Sequence, residues 1–316
     1  MFFCDAHIDT LSKMLKFGWQ RLADIPKDSQ VTAARLRQSG VGVAVFAIFT
    51  EKHDRALQPL QRTLKMIDMA YSISRENADR LELVTDTAGI ARARKQGKIA
   101  VVLAIENGIA IGNDLGLLRN FHRLGVRLMT LTWSHRNQLG DGVFKWSSRR
   151  GLTELGRGVI REMERLGMII DVSHMNERTF WKVIETAKGP VAATHSNAFS
   201  VSKCSRNLND EQIKAIAKRG GFIGLNFCGL FLNDSGRGAL IDDVVRHACH
   251  IAEVGGTGVL AMGSDFDGIT DPPTGLEHIG KMGRLVSVFR KAGFTERDIS
   301  AIAHRNFLRV FREVCR

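Results

Sequence analysis

The chain opens with Asp5-Ala6-His7-Ile8-Asp9, two carboxylates and an imidazole spaced at alternate positions. In an extended strand successive side chains point to opposite faces, so residues 5, 7 and 9 share a side. His7 and Asp9 can then grip one cation, with Asp5 starting on the same face. Glu106 follows Val101-Val102-Leu103-Ala104-Ile105, which is apolar throughout. A carboxylate at the end of such a run must be paired, solvated or metal-bound, and two free oxygens let it bridge two ions. His174, in Ile169-Ile170-Asp171-Val172-Ser173-His174, and His195, in Val191-Ala192-Ala193-Thr194-His195, add imidazoles from two further runs. Imidazole with carboxylate is the donor set for zinc or a similar transition metal. Any one of these residues alone is read as easily as a turn former or a backbone-bonded histidine. Jointly, that reading needs His7, Asp9, Glu106, His174 and His195 to fall by accident at the ends of separate strands.

The elements that would position them repeat along the chain. Eight short apolar runs end in polar residues: Phe2 to Asp9, Val41 to Phe49 before Thr50 and Glu51, Ile99 to Ile105 before Glu106, and Leu128 to Trp133 before His135. The other four are Met168 to Val172 near His174, Val191 to Thr194 before His195, Gly221 to Leu225 before Asn226, and Val259 to Gly263 near Asp265. Short β-branched runs separated by amphipathic stretches predict parallel strands with crossover helices. Eight such units predict an α/β fold, a single (β/α)8 TIM barrel over residues 1–316, whose strand carboxyl ends carry the chemistry.

Helical patterns fall at 32–38, 55–79, 87–96, 115–124, 153–166, 177–187, 210–218, 240–254, 277–292 and 296–312. Thr153, Asn176 and Asn209 sit where N-caps are wanted, and Gly40, Gly97, Gly125, Gly167, Gly220 and Gly255 where helices should stop. Leu81-Glu82-Leu83-Val84 reads as a small extra strand, and the Gly- and Ser-rich stretch Asn137 to Arg150 as a loop able to cover the barrel mouth.

Composition narrows the function classes. With 44% hydrophobic and 25% charged residues the chain can bury a large core, and no apolar run reaches the ~18 residues of a membrane span. The opening Met-Phe-Phe-Cys-Asp lacks the basic and apolar regions of a secretion signal, so a cytoplasmic protein without membrane contact is expected. Cys4, Cys204, Cys228, Cys249 and Cys315 are odd in number and scattered, which predicts reduced, mostly packed thiols. The net charge of +12 is spread over helices with a single Tyr in the chain, so specific nucleic-acid binding is not expected, although the positive field can recruit anionic substrates. The remaining histidines (His53, His122, His247, His250, His278, His304) are expected at the surface.

Taken together, the motifs resemble the membrane, or renal, dipeptidases, zinc-dependent members of the amidohydrolase-like barrels. The resemblance is carried by Asp5 to Asp9, Ala104-Ile105-Glu106-Asn107-Gly108, Ile170 to His174, Thr194-His195-Ser196-Asn197-Ala198-Phe199-Ser200-Val201, Ser205-Arg206-Asn207 and Gly263-Ser264-Asp265-Phe266-Asp267-Gly268, in order over nearly the whole chain. It implies two zinc ions, one held by His7 and Asp9, the other by His174 and His195, with Glu106 bridging. It further implies that Arg206 holds the substrate carboxylate, since its planar fork matches that group, and that Asp265 handles protons near the attacked carbon. The reaction implied is hydrolysis of a dipeptide by a hydroxide bridging the two ions, with a D residue accepted at the carboxyl side. A homodimer is the assembly implied by the family's habit.

Two departures qualify the likeness. Where the family places a histidine that contacts the oxyanion, this chain has Trp133, and His135 follows two residues later. His135 is therefore the expected substitute in catalysis and substrate binding, while Trp133 narrows the pocket and alters which substrates fit. The chain also lacks the secretion signal and lipid-anchor tail of mammalian relatives, which suggests a soluble, bacterial-type branch. The alternative chemistry is that of another amidohydrolase, acting on N-acyl amino acids or cyclic amides with the same metals. A non-catalytic barrel binding through its basic surface is the reading from outside enzymes; the intact donor set argues against it.

Overall fold

A computed structural model describes residues 1–51, 58–145 and 150–315. Nine strands lie in one parallel sheet: β1 (Phe3–Ile8), β2 (Val41–Phe49), β3 (Leu81–Leu83), β4 (Ile99–Glu106), β5 (Val126–Thr130), β6 (Ile169–Asp171), β7 (Val191–Ala193), β8 (Phe222–Leu225) and β9 (Leu260–Met262). The pairing runs β1-β2-β4-β5-β6-β7-β8-β9 and returns from β9 to β1, which closes an eight-stranded barrel with helices between the strands. The extra strand expected at Leu81 is β3. It pairs with the first residues of β4, Leu81 opposite Ile99, on the edge that β5 takes over from Leu103 onward.

Alternation along the strands divides the apolar residues into two layers. Cys4, Ala6, Val43, Val45, Ala100, Val102, Ala104, Leu128, Ile169, Ala192 and Ala261 fill the barrel, and their small size suits a narrow interior. Phe307, Val310 and Phe311 of the last helix, Asn306–Val314, join this cluster, with Phe307 packed on Phe222 of β8 at 5.5 Å between ring centroids. Each fully buried Phe contributes about 1.5–3 kcal/mol, so this helix stoppers the end remote from the site. Intervening residues such as Ala44, Phe46, Val101, Leu103 and Ile105 pack outward on the helices.

The capping expectations hold. Thr153 Oγ1, Asn176 Oδ1 and Asn209 Oδ1 accept the N–H groups of Gly156, Thr179 and Gln212 at 3.0, 2.9 and 2.9 Å, each a cap of about 1 kcal/mol. Several boundaries differ. The fourth barrel strand is Val126–Thr130 rather than 128–133: it starts two residues early, with the charged Arg127 accommodated by turning its guanidinium aside to the carbonyls of Thr85 and His122. It ends at Thr130, which leaves Trp133 on the loop beyond the strand. The helix expected over 277–292 is broken into a 3-10 turn, Ile279–Lys281, and a helix, Arg284–Lys291, with Gly280 and Gly283 at the interruption. Gly255 remains helical and Gly256 takes the positive φ of 80°. The helix expected from 55 is Pro59–Glu76, its first expected turn lying outside the described residues.

Not all the other histidines are at the surface. His247 is wholly buried: its Nδ1 accepts the Ala198 N–H at 3.1 Å and its Nε2 lies 3.1 Å from the Leu232 carbonyl. A helix-borne imidazole that serves two backbone groups is core structure, which the helical pattern alone did not distinguish from an exposed one. His53 lies outside the described residues. Cys4, Cys228 and Cys315 are buried, Cys249 exposed, and all five thiols are free.

Candidate metal centre

Four strand ends bring five candidate donors to one place. His7 lies near the end of β1 and Asp9 just past it, Glu106 ends β4, His174 lies three residues past β6 and His195 two past β7. All five are buried, none more than 8% exposed. His7 Nε2 lies 3.4 Å from Asp9 Oδ2 and 3.6 Å from Glu106 Oε2. The other Glu106 oxygen, Oε1, is 2.8 Å from His174 Nε2 and 3.7 Å from His195 Nε2. Glu106 thus turns one oxygen toward His7 and the other toward His174 and His195. The two imidazoles on the second side meet Nε2 to Nε2 at 2.7 Å. Two ring nitrogens aimed at one point, with His7 Nε2 buried and without a hydrogen-bond partner, form a donor set that a cation would satisfy. His7, Glu106 and His195, and separately His7, Asp9 and Asp265, each place three ligand atoms within 4.8 Å of one another.

Backbone geometry is unusual at the same level. Among the described residues, the non-glycine positions with positive φ are Asn107 (73°), His174 (66°), Asp265 (64°) and Asp267 (70°), all just beyond strand ends at this mouth. Such strain persists where surrounding bonds over-determine it and clusters at functional sites. Val143 N–H holds the His174 carbonyl at 2.9 Å, and Asp265 N–H donates to the His7 carbonyl at 3.0 Å. Close approach is needed too: a Cβ on Gly263 would fall 1.8 Å from the Thr194 carbonyl oxygen, and one on Gly268 would fall 2.4 Å from Asp9 Oδ2 and 2.6 Å from Asp265 Oδ1. Only glycine lets these segments close around the donors.

The charge states follow from burial set against neighbours. Burial would hold the His7 imidazole neutral, but Glu106 and Asp9 beside it prevail and raise it well above its ordinary value. Burial opposes ionisation of Glu106 as well, yet His7 and His174 hold it below the usual carboxylate range. His174 is pushed down to about 4 by burial and the nearby Arg206, and His195 is likewise held well below its ordinary value, first by burial, so both imidazoles are neutral. Asp265 is raised to about 8, first by burial; His7 opposes this while Asp9 and Glu106 add to it. Asn226 Nδ2, from the end of β8, donates to its Oδ2 at 2.9 Å.

Arg206 is also buried, 7% exposed, with Nη2 donating to the His195 carbonyl at 3.1 Å and the guanidinium carbon 5.4 Å from the Phe231 ring centre. Among the described residues no carboxylate lies within ion-pair distance of it, and its Nε has no partner. His135, in contrast, stands exposed on the rim, its ring 5.1 Å from Phe144 and 5.9 Å from Trp133. Trp133 is the nearer of the two to the donors, its ring 5.8 Å from that of His174. The described part of the 137–150 loop folds back on the His174 turn through the Gly142–Met175 bridge; residues 146–149 lie outside the described residues.

Sequence reasoning missed the groups that hold these donors. Asp5, expected on the metal face, instead accepts Ser264 N–H at 2.9 Å and Ser264 Oγ–H at 2.5 Å, bracing the residue before Asp265. Asp171 does the corresponding work near His195, and Ser134 Oγ lies 3.2 Å from His174 Nδ1. A charged residue inside an apolar strand was the available signal for both carboxylates. Phe49 and Phe144, which flank Trp133 at 5.1 and 6.3 Å, carried no such signal.

Comparison with known proteins places this geometry. The sequence profile of the membrane dipeptidase family, peptidase family M19, matches residues 1–316. A dipeptidase described as a metallopeptidase of family M19 is similar in structure with a TM-score of 0.93 and 29% identity, over 100% of this chain and 99% of that one. A metallopeptidase from Rhodobacter sphaeroides, solved with a phosphinate mimic of the dipeptide L-Ala-D-Ala, is similar with a TM-score of 0.92 and 28% identity, over 100% and 99% of the two chains. An amidohydrolase from Pseudomonas aeruginosa shares the fold, with a TM-score of 0.86 and 24% identity over 99% and 96%. A closed barrel, a convergent cluster of residues able to hold metal at its mouth and a profile match over every residue agree: the chain belongs to the membrane dipeptidase family and is a metal-dependent peptide hydrolase.

Proposed function

We propose that the protein hydrolyses dipeptides at a two-zinc site, with His7 and Asp9 serving one ion, His174 and His195 the other, and Glu106 both. The observation that carries the substrate class is Arg206, a buried guanidinium without a carboxylate partner among the described residues, hydrogen-bonded to the carbonyl of a metal-donor histidine. A buried cation left unpaired is costly, and a substrate carboxylate would relieve that cost through a bidentate pair. Bound zinc would supply a water activated at neutral pH and polarise the scissile carbonyl. Asp265, raised to about 8 and steadied by Asn226, is placed to hold and pass a proton to the leaving amine. His135, on the rim, would contact substrate rather than metal, and Trp133 would narrow the side of the mouth beside His174.

The L-Ala-D-Ala mimic bound by the Rhodobacter neighbour supports extending the reading to dipeptides with a D residue at the carboxyl side. Its test is the Arg206→Ala variant assayed on a dipeptide and on the same dipeptide with an amidated carboxyl end. The expected result is a selective loss of kcat/KM on the free acid; equal loss on both would remove carboxylate recognition from Arg206. An N-acyl amino acid would engage Arg206 equally, so wild-type activity on acylated substrates alone would move the assignment to that chemistry.

A further inference from the structure

Asp171 ends β6 and is 1% exposed, yet none of its hydrogen bonds reaches a donor of the candidate metal centre. Its carboxylate accepts four: Oδ1 takes the N–H groups of Ser173 and Thr194, both at 3.0 Å, and Oδ2 takes the hydroxyls of Thr130 at 2.5 Å and Thr194 at 2.6 Å. A carboxylate only accepts, and a hydroxyl has one proton to give. With that proton directed at Asp171, Thr194 Oγ1 can only accept from its second neighbour, His195 Nδ1, 2.8 Å away. His195 Nδ1 must then carry the ring proton. Its Nε2 is left with a bare lone pair, and Nε2 is the atom that faces His174 Nε2 and Glu106 Oε1.

We propose that Asp171 is a positioning residue that acts through Thr194 to lock His195 in the Nδ1–H tautomer, so that Nε2 is ready as a metal donor before any ion arrives. The inference rests on the reading of His195 as a metal donor. Without the carboxylate, the Thr194 hydroxyl is free to rotate and donate to Nδ1. The ring proton then moves to Nε2, where it blocks the donor atom. Asp171→Asn could go further, since an amide N–H facing Thr194 Oγ1 would drive the hydroxyl toward Nδ1.

The experiment is long-range 1H–15N correlation on metal-free protein labelled in histidine, with His195 assigned by the His195→Gln variant, alongside zinc affinity by competition with a chromophoric chelator. The expected result is Nδ1–H for His195 in the wild type and in Thr194→Ser, and a shift toward Nε2–H in Thr194→Val and Asp171→Asn with zinc affinity lower by about 10–100-fold, as for outer partners of other metal-binding histidines. A wild-type His195 in the Nε2–H form overturns the proposal. So does a folded Thr194→Val protein with wild-type tautomer and zinc affinity, whatever its loss of thermal stability. Because the wild-type tautomer is read without metal, a protein that failed to bind zinc would refute the donor assignment separately.

Discussion

Replacing Glu106 by Gln should empty the metal centre while leaving the barrel folded. Glu106 is the residue that touches both sides, with His7 Nε2 at 3.6 Å from one oxygen and His174 Nε2 at 2.8 Å from the other. In the metal-free protein, loss of a buried partner usually costs about 3–5 kcal/mol because a charge is stranded. Here the stranded group is His7, and Glu106 is the largest influence raising it. Without that carboxylate His7 keeps Asp9 at 3.4 Å, and burial favours loss of its proton, so no cation is left unpaired. Metal-free stability should therefore fall by less than this range. Zinc binding should fall much further. Structural sites of about four ligands bind with about 10–16 kcal/mol, or about 2.5–4 kcal/mol per ligand. One lost carboxylate ligand then costs each ion about two to three decades in affinity, at about 1.4 kcal/mol per decade. The assay is zinc titration of chelator-stripped protein against a chromophoric competitor, with bound metal counted by elemental analysis and folding checked by near-UV circular dichroism. Retention of two ions at wild-type affinity in Glu106→Gln would refute the bridging role.

Zinc affinity should rise with pH through neutrality. In the metal-free protein His7, a proposed donor, lies well above its ordinary value because of Glu106 and Asp9, so it holds a proton at neutral pH that an arriving cation must displace. By the same sign, a raised folded-state pKa gives stability at low pH that is lost as pH rises: for Asp265 the metal-free protein weakens between its ordinary value of 3.8 and about 8. Calorimetry of zinc binding in buffers of differing ionisation enthalpy should report net proton release at pH 7, and no release would contradict the assignment of His7 as a donor. Asp265→Asn should lower kcat by about 10²–10⁴ with zinc content unchanged, the range for a lost general acid or base; unaltered kcat would exclude it as the proton carrier. Gly268→Ala places a methyl group 2.4 Å from Asp9 Oδ2, and should weaken zinc binding more than it lowers the melting temperature of the metal-free protein; equal zinc affinity would show that the loop yields freely.

The barrel was legible because its strands are apolar, short and punctuated, and because parallel strands buried on both faces leave little room for another reading. The convergence of the candidate donors was legible for the same physical reason: His7, Glu106 and His195 are polar groups at the ends of apolar runs, where burial demands a partner. What sequence did not disclose depends on contacts between distant segments. Asp5 and Asp171 both looked like strand-end polar residues, and only the approach of Ser264 and Thr194 separates a brace from a metal donor. His247 has a helical pattern around it that fits an exposed residue, and its two backbone partners come from other elements. The early start of the fourth barrel strand was hidden by Arg127, whose charge made a strand position look like a loop.

Zinc titration of the stripped protein, with turnover of L-Ala-D-Ala and of L-L dipeptides followed at each loading, decides whether a two-zinc site cuts dipeptides. No cleavage is expected without metal; activity should rise with zinc, saturate at two ions per chain and require a free substrate carboxylate. Full activity at one ion per chain, or two bound ions with no dipeptide cleaved, would contradict a two-zinc dipeptidase.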